Sequence, residues 1–301
     1  MAHATMPIPL FLNPAAGRGR ARRLRASLSE LLNDNDIAHQ VLESEGPGDL
    51  EKKVKETVAG GAQQLLVAGG DGSIHEAING MLESGRIAEI GVIPLGRAND
   101  FAKACAIPPH WEDAALLLAD RLKNEMPARP VDVGWMNGRW FANGAGIGFD
   151  AKASAIARSM ELPIGDLVYL VAVLRGLWSG VRTHRVHVES REVTYDGGAT
   201  VVHVSNGPWV AGLFQIAPPA VNDDGALDLL IVRPVSRWRV ATLLPRMIGG
   251  KHIGQPEIRH ARIERCEVVA DAPMPSHLDG EVQPLQTRFR IEMRAGAVPL
   301  L

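Results

Sequence analysis

Apolar residues follow one rhythm before Pro130 and another after it. In the first part, short apolar runs alternate with stretches whose apolar residues recur every three or four positions. Residues 8–12 form the first run, ending at Asn13-Pro14. Residues 21–33 put Leu24, Leu28, Leu31 and Leu32 on one helical face. A second strand follows at 37–42, and a second helix at 49–59 is stopped by Gly60-Gly61. Residues 64–68 and 90–93 read as the third and fourth strands. Such alternation predicts a parallel sheet with helices on both faces. Ligands of such sheets bind at the carboxyl ends of the strands.

Beyond Pro130 the rhythm turns β-like. Asn137-Gly138 between the runs 131–136 and 139–142 is a hairpin signal. A helical stretch covers roughly residues 150–179. Strand-like runs then dominate, at 183–189, 199–205, 227–232, 262–270 and 286–293. Turn signals fall at Asp196-Gly197-Gly198 and Asp224-Gly225, and 236–248 reads as an inserted helix. Gly144-Ala145-Gly146-Ile147-Gly148 lacks the spacing of a dinucleotide fingerprint and reads as a tight turn or a cleft lining. The expectation is an α/β domain over 1–130 and an antiparallel β domain over 131–285. Two domains also suit the 301-residue length.

Composition narrows the function classes. Hydrophobic content is 46%, enough for a real core. A net charge of −2 supplies no general basic field, so nucleic acid is not an expected partner. Arg18, Arg20, Arg22, Arg23 and Arg25 cluster locally; a solvated helix face and a phosphate or headgroup contact explain them equally well. Two distant cysteines form no ligand motif, and the ten histidines show no zinc spacing. The expected compartment is the cytoplasm. Residues 162–181 are the longest candidate membrane segment, but Asp166, Arg175 and three glycines interrupt them. Any membrane contact is expected to be peripheral, and a homodimer remains open.

The sharpest local signal is Gly69-Gly70-Asp71-Gly72-Ser73, between the run 65–68 and Ile74-His75-Glu76. Glycines relax the backbone and let its N–H groups approach an anion. The helix that follows points its positive end at the same place. An acid among the glycines adds a place for a cation or a proton. The set suggests a nucleotide phosphate with a divalent metal, without the Gly-x-x-x-x-Gly-Lys-Ser/Thr run of a P-loop.

Three further segments accompany this turn. Asn13-Pro14-Ala15-Ala16-Gly17-Arg18-Gly19 follows the first strand, Pro94-Leu95-Gly96-Arg97-Ala98-Asn99-Asp100-Phe101 follows the fourth, and Leu278-Asp279-Gly280-Glu281 lies near the end. In this order the four segments resemble the catalytic domain of the diacylglycerol kinase and sphingosine kinase family, its bacterial lipid kinases above all. The resemblance spans nearly the whole chain. It implies an NAD-kinase-like parallel α/β domain, a C-terminal β-sandwich and an active site in the cleft between them. It also implies that the tail, about 286–301, returns to the first domain.

The resemblance further implies an ATP- and magnesium-dependent kinase acting on a lipid hydroxyl, most simply diacylglycerol. Asn13, Ser44, Gly70, Asp71, Gly72, Ser73, Ile74, His75, Glu76 and Arg97 would line the nucleotide site, with Asp71 near the catalytic magnesium. Glu281 would be the general base. Val221, Asp224 and Ala226 would hold a second, structural magnesium through two carbonyls and a carboxylate. Residues 164–178 and 209–214 are candidates for an apolar slot for acyl chains. Ser73 stands where relatives have threonine, and so does Arg97, a far larger change. An NAD-kinase-like enzyme with a soluble acceptor and a nucleotide-binding regulator without catalysis are the alternatives. Each residue has a plainer role open to it: Asn13-Pro14 and Asp224-Gly225 as turns, Asp279 and Glu281 as hairpin residues, Glu76 and Asn79 as structural supports.

Overall fold

The computed structural model describes residues 6–160 and 167–301. The chain divides into two compact units, Met1–Val131 with Gly296–Leu301, and Asp132–Ala295.

The first unit runs β1 (Ile8–Leu12), α1 (Ala16–Asp34), β2 (His39–Glu43), α2 (Asp49–Ala59), β3 (Gln64–Gly69), α3 (Asp71–Glu83), β4 (Glu89–Pro94), α4 (Asp100–Ala104) and α5 (Trp111–Lys123). Its strands lie parallel in the order β4-β3-β1-β2. Alternate strand residues Leu10, Leu12, Leu66, Ala68 and Ile93 pack with Leu28, Leu32, Trp111 and Leu118, so α1 and α5 cover one face. The other face carries α2 and α3. At the far edge of β4, Leu300 pairs in parallel with Ile90, and the Leu301 N–H donates to the Ile90 carbonyl at 2.9 Å. The order in which successive strands are added reverses between β1 and β3, the position where such sheets place their ligands.

In the rest of the chain come β5 (Arg129–Met136), β6 (Arg139–Phe141), β7 (Gly144–Gly148), α6 (Phe149–Arg158), α7 (Leu167–Trp178), β8 (His184–Glu189), β9 (Thr194–Ala199) and β10 (Val201–Ser205). There follow β11 (Trp209–Val210), β12 (Phe214–Gln215), β13 (Leu227–Val232), α8 (Arg237–Ile248), β14 (Ile258–Ile263), β15 (Arg265–Leu278) and β16 (Glu281–Leu300). Strand β15 changes partner along its length. Its Glu267–Ala270 half pairs with β8, and its Ser276–Leu278 half pairs with β7. The register slips between Val269 and Met274 and again between Met274 and Ser276, across Pro273 and Pro275, which have no N–H to give a ladder. The strand thus turns the corner of a sandwich whose core includes Ile147, Val188, Val204, Leu229, Val268 and Phe289.

The structure redraws several sequence expectations. The Asp196-Gly197-Gly198 turn is instead part of β9, paired with β8; the turn lies earlier, where the Ser190 hydroxyl accepts the Glu192 and Val193 N–H groups. Gly198 is there for space, because a Cβ would lie 2.8 Å from Pro234 and 2.9 Å from Thr183. The 144–148 segment is a buried strand and not a turn. The helical stretch 150–179 is α6 and α7, and residues 161–166 of it lie outside the described residues. No helix among the described residues is long and apolar enough to cross a membrane. Both cysteines are buried and no disulfide joins them, and burial, with Glu192 nearby, pushes the Cys266 thiol up to about 12.

The Asn137-Gly138 hairpin forms with φ of 48° and 101°, the two positive values of a type I′ turn. Gly138→Ala meets no atom within 4 Å, so its cost is backbone strain alone. It should lower stability by about 1–2 kcal/mol in urea titration. Gly46→Ala, equally uncrowded and without a positive φ, should be neutral or slightly stabilising.

Candidate functional site

Four loops converge at the carboxyl ends of the parallel strands. The Asn13 N–H donates to the Ala68 carbonyl at 3.3 Å, and the Asn13 amide nitrogen donates to the Ser73 hydroxyl at 3.3 Å. Gly17, Arg18 and Gly19 all have positive φ, and a Cβ on Gly17 would lie 2.4 Å from the Leu95 carbonyl oxygen. The Ser44 N–H donates to Leu12, tying in the loop after β2. A Cβ on Gly70 would lie 2.9 Å from the Cα of Gly96, and one on Gly96 2.5 Å from the Cα of Gly70. The tips of β3 and β4 therefore touch backbone to backbone.

The helix after this turn starts earlier than the sequence suggests. Asp71 is its first residue, so Gly72 and Ser73 belong to the first turn of α3. Neither Gly69 nor Gly70 has a positive φ. The glycines are required for close approach, since a Cβ on Gly69 would strike the Ser73 hydroxyl at 2.3 Å. The Ser73 and Ile74 N–H groups already donate to the Gly70 carbonyl, leaving the head of α3 to offer its earlier donors and the positive end of its dipole.

The side chains divide by task. Asp71 accepts the Phe101 N–H at 3.0 Å, capping α4 from across the site and fixing the two glycine loops together. Glu76 accepts the Gly48 and Glu51 N–H groups at 3.0 and 3.3 Å, so it caps α2. Ile74, His75 and Asn79 are buried, and the Asn79 amide donates to the His75 carbonyl. Arg97 is exposed and forms no ion pair among the described residues. Asn99, left-handed at φ 50°, donates to the Gly96 carbonyl at 3.2 Å, while its Oδ1 is buried with no partner. An orphaned acceptor beside a glycine cradle fits a hydroxyl or a hydrated cation brought by a bound nucleotide.

In the second unit, Asp279 and Gly280 form a type I′ turn with φ of 49° and 86°, and Glu281 lies opposite Leu278. The Asp279 carboxylate accepts the N–H groups of Ala142, Asn143 and Gly144 at 2.8 to 3.0 Å. Glu281 forms an ion pair with Arg158. The Gly280 N–H donates to His277 Nδ1 at 3.1 Å. His277 Nε2 reaches Asp150 Oδ2 at 3.1 Å, His203 Nδ1 reaches the same oxygen at 2.7 Å, and the Tyr169 hydroxyl donates to Asp150 Oδ1 at 2.5 Å. His203 and His277 flank Gly146 in register on neighbouring strands. A Cβ on Gly146 would lie 2.2 Å from Asp150 Oδ2, so the glycine of β7 makes room for the carboxylate.

This cluster was not legible as a site; the usable signal was glycine at alternate positions of 144–148 in front of Phe149-Asp150. Among the described residues, Asp150, His203 and His277 are a group whose ligand atoms all lie within 4.8 Å of one another. The surroundings do not fit a metal. A ligating histidine donates its other ring N–H to an acceptor. Here His277 Nδ1 faces the Gly280 donor, which leaves the proton on Nε2, and His203 Nε2 faces nothing. The arrangement instead surrounds one buried carboxylate with three donors. Burial alone would raise Asp150, but the electrostatic attraction of His277 and the bonds from His203 and His277 outweigh it and hold the carboxyl well below the ordinary range.

Asp150 and Tyr169 also line an apolar cavity with Phe149, Val173, Phe214 and Leu244. Val210 and Phe214 come from the 209–214 run, and Tyr169 and Val173 from the 164–178 run, whose residues 164–166 lie outside the described residues. The loop carrying Val221, Asp224 and Ala226 is closed otherwise. Asp224 accepts the Ala226 N–H at 3.2 Å and the Arg262 guanidinium at 2.5 Å, while Asp132 accepts the Gly225 N–H at 2.8 Å.

A glycine-cradled parallel sheet followed by a β-sandwich defines an NAD-kinase-like phosphotransferase architecture. Residues 7–134 match the diacylglycerol kinase catalytic domain, and residues 144–301 match the YegS C-terminal NAD kinase beta sandwich-like domain. A probable lipid kinase YegS-like protein of Pseudomonas aeruginosa is 33% identical over 83% of this chain and 80% of its own. A diacylglycerol kinase of Bacillus subtilis is 28% identical over 90% and 88%. The crystal structure of a putative diacylglycerol kinase from Bacillus anthracis superposes with a TM-score of 0.79 at 23% identity, covering 97% of this chain and 96% of that one. The chain belongs to the diacylglycerol kinase-like, YegS-like lipid kinase family.

Breaking the Asp150 cluster has a defined cost. Asp150→Ala leaves two buried imidazoles without their acceptor and should lose about 3–5 kcal/mol in chemical denaturation. The folded Asp150 carboxyl is depressed below 3.8, so its contribution is present above that pH and lost as pH falls through the lower folded value. The Tm gap between the parent and Asp150→Asn should therefore narrow in acid.

Proposed function

We propose that this protein is an ATP- and magnesium-dependent lipid kinase that phosphorylates the hydroxyl of diacylglycerol or a lipid of similar shape at a membrane surface. The carrying observation is the backbone-to-backbone contact of Gly70 with Gly96 at the positive end of α3, beside the buried, unpartnered Asn99 Oδ1. Family membership supports phosphoryl transfer to a lipid, and the apolar cavity lined by Tyr169, Val173, Phe214 and Leu244 suits acyl chains.

Phosphoryl transfer needs positioning and charge neutralisation more than covalent chemistry. In this reading Asn13, Ser44 and the segment Gly70, Asp71, Gly72, Ser73, Ile74, His75 and Glu76 hold the nucleotide. Ile74 and His75 support the first turn of α3 from within, since their side chains are buried. Arg97, exposed in the adjoining loop, reaches for a phosphate with a planar fork of donors. Bound magnesium would neutralise the phosphate oxygens, with Asp71 as the carboxylate on its side. Glu281 takes the proton of the lipid hydroxyl with the oxygen that Arg158 does not engage. His277 positions Glu281 indirectly by anchoring the Gly280 N–H. A magnesium at Val221, Asp224 and Ala226 would have to displace Arg262 from Asp224, so no step is routed through it.

Labelled ATP and mixed vesicles containing diacylglycerol test the reading. Label should enter the lipid phase, and Asp71→Ala or Glu281→Ala should cut the rate by roughly 100-fold or more. Glu281→Ala should keep ATP binding. No transfer to any lipid hydroxyl, or transfer to NAD instead, would sink the proposal. Arg97→Thr should change the KM for ATP while leaving the Tm in place; an unchanged KM removes Arg97 from the nucleotide site.

A further inference from the structure

The helices that wall the cavity have unusual outer faces. Their inner faces pack together, with Val173 and Leu177 of α7 against Leu244, Val240 and Ala241 of α8. Leu167, Leu174 and Trp178 recur at helical spacing on the opposite side of α7, and all three are exposed, Trp178 by 89%. Trp238, in the first turn of α8, is 73% exposed, and the Arg237 guanidinium lies 5.4 Å from its ring centroid. Burying such residues against protein would be the ordinary outcome; leaving two tryptophans in water asks for a partner.

The charge distribution says which partner. Residues 167–183 and 232–252 contain seven arginines and lysines and not one acid, in a chain whose net charge is −2. Of these, Arg239 is neutralised by Glu257 at 2.7 Å. Arg175, Arg182 and Arg237 are exposed and form no ion pair among the described residues. Tryptophan favours the headgroup layer of a bilayer, and arginine pairs with lipid phosphates there. Apolar area and positive charge on one surface together give reversible interfacial binding.

We infer that the outer faces of α7 and α8 dock this protein on an anionic bilayer, with Leu174, Trp178 and Trp238 entering the headgroup layer and Arg175, Arg182 and Arg237 pairing with lipid phosphates. The inference deepens the lipid kinase reading on which it rests: the helices that grip the membrane are those whose inner faces line the acyl cavity. A lipid lifted from the bilayer passes between two elements already in contact with it.

Co-sedimentation of the full chain with vesicles tests the surface. The parent should bind phosphatidylcholine vesicles that include phosphatidylglycerol, bind phosphatidylcholine alone much less, and release with rising salt. Trp178→Ser with Trp238→Ser should weaken that binding roughly tenfold or more, and Arg175→Gln with Arg182→Gln and Arg237→Gln should abolish the preference for anionic lipid. Both variants should keep the parent Tm and the parent rate on a short-chain diacylglycerol dispersed as monomers. Parent-like vesicle binding by the tryptophan variant, or a parent that ignores anionic vesicles, overturns the docking surface. Vesicle binding by the parent without transfer to lipid leaves the surface standing and overturns the kinase reading instead.

Discussion

Gly70 and Gly96 meet backbone to backbone, each within 3 Å of where the other's β-carbon would be. The rest of the parallel-sheet unit follows from that contact. It requires β3 and β4 to be parallel neighbours ending at the same level, as their register from Gln64 opposite Glu89 to Gly69 opposite Pro94 shows. It brings Asp71 to the Phe101 N–H, so that the head of one helix caps the next. It also holds Asn99 in a left-handed conformation beside the gap, with an oxygen still unpaired. Backbone sterics, more than any charged pair, shape the place where a phosphate would sit.

The β-sandwich uses the same device for a different end. Gly146 lacks a side chain so that a carboxylate can occupy the space between two histidines. A buried carboxylate is tolerable only when its oxygens are met by donors, and Tyr169, His203 and His277 supply them. The consequence reaches past Asp150. His277 has its second ring nitrogen on Gly280, so the charge in the core is connected through one imidazole to the turn that carries Glu281. Tyr169 connects the same charge to the wall of the apolar cavity.

Period and glycine placement made the parallel half of the fold legible. Runs at 8–12, 49–59 and 64–68 differ from β1, α2 and β3 by at most one residue. The β half was less so, because glycine there serves packing as often as turning. Gly197 and Gly198 look like a turn but lie in a strand, and 144–148 looks like a loop but is a buried strand. Motif residues could be read from the sequence, whereas what they bond to could not. Asp71 as a cap for α4, Glu76 as a cap for α2 and Arg262 on Asp224 depend on contacts 28 or more residues apart. The Asp150 cluster was least visible, since its members are separated by 53 and 127 residues and no spacing rule joins them.

The last residues, Gly296–Leu301, belong to the first unit, where Leu300 pairs with Ile90 on the otherwise open edge of β4. That edge therefore stays bare on the ribosome until the entire sandwich has been made. Domains usually fold in order of synthesis, N-terminal first. This one cannot finish first: its closing strand is encoded after about 160 residues of another unit, a long-range closure that slows folding and leaves an aggregation-prone edge waiting for it. The parallel-sheet unit thus receives its last strand only after the residues of the sandwich have been synthesised.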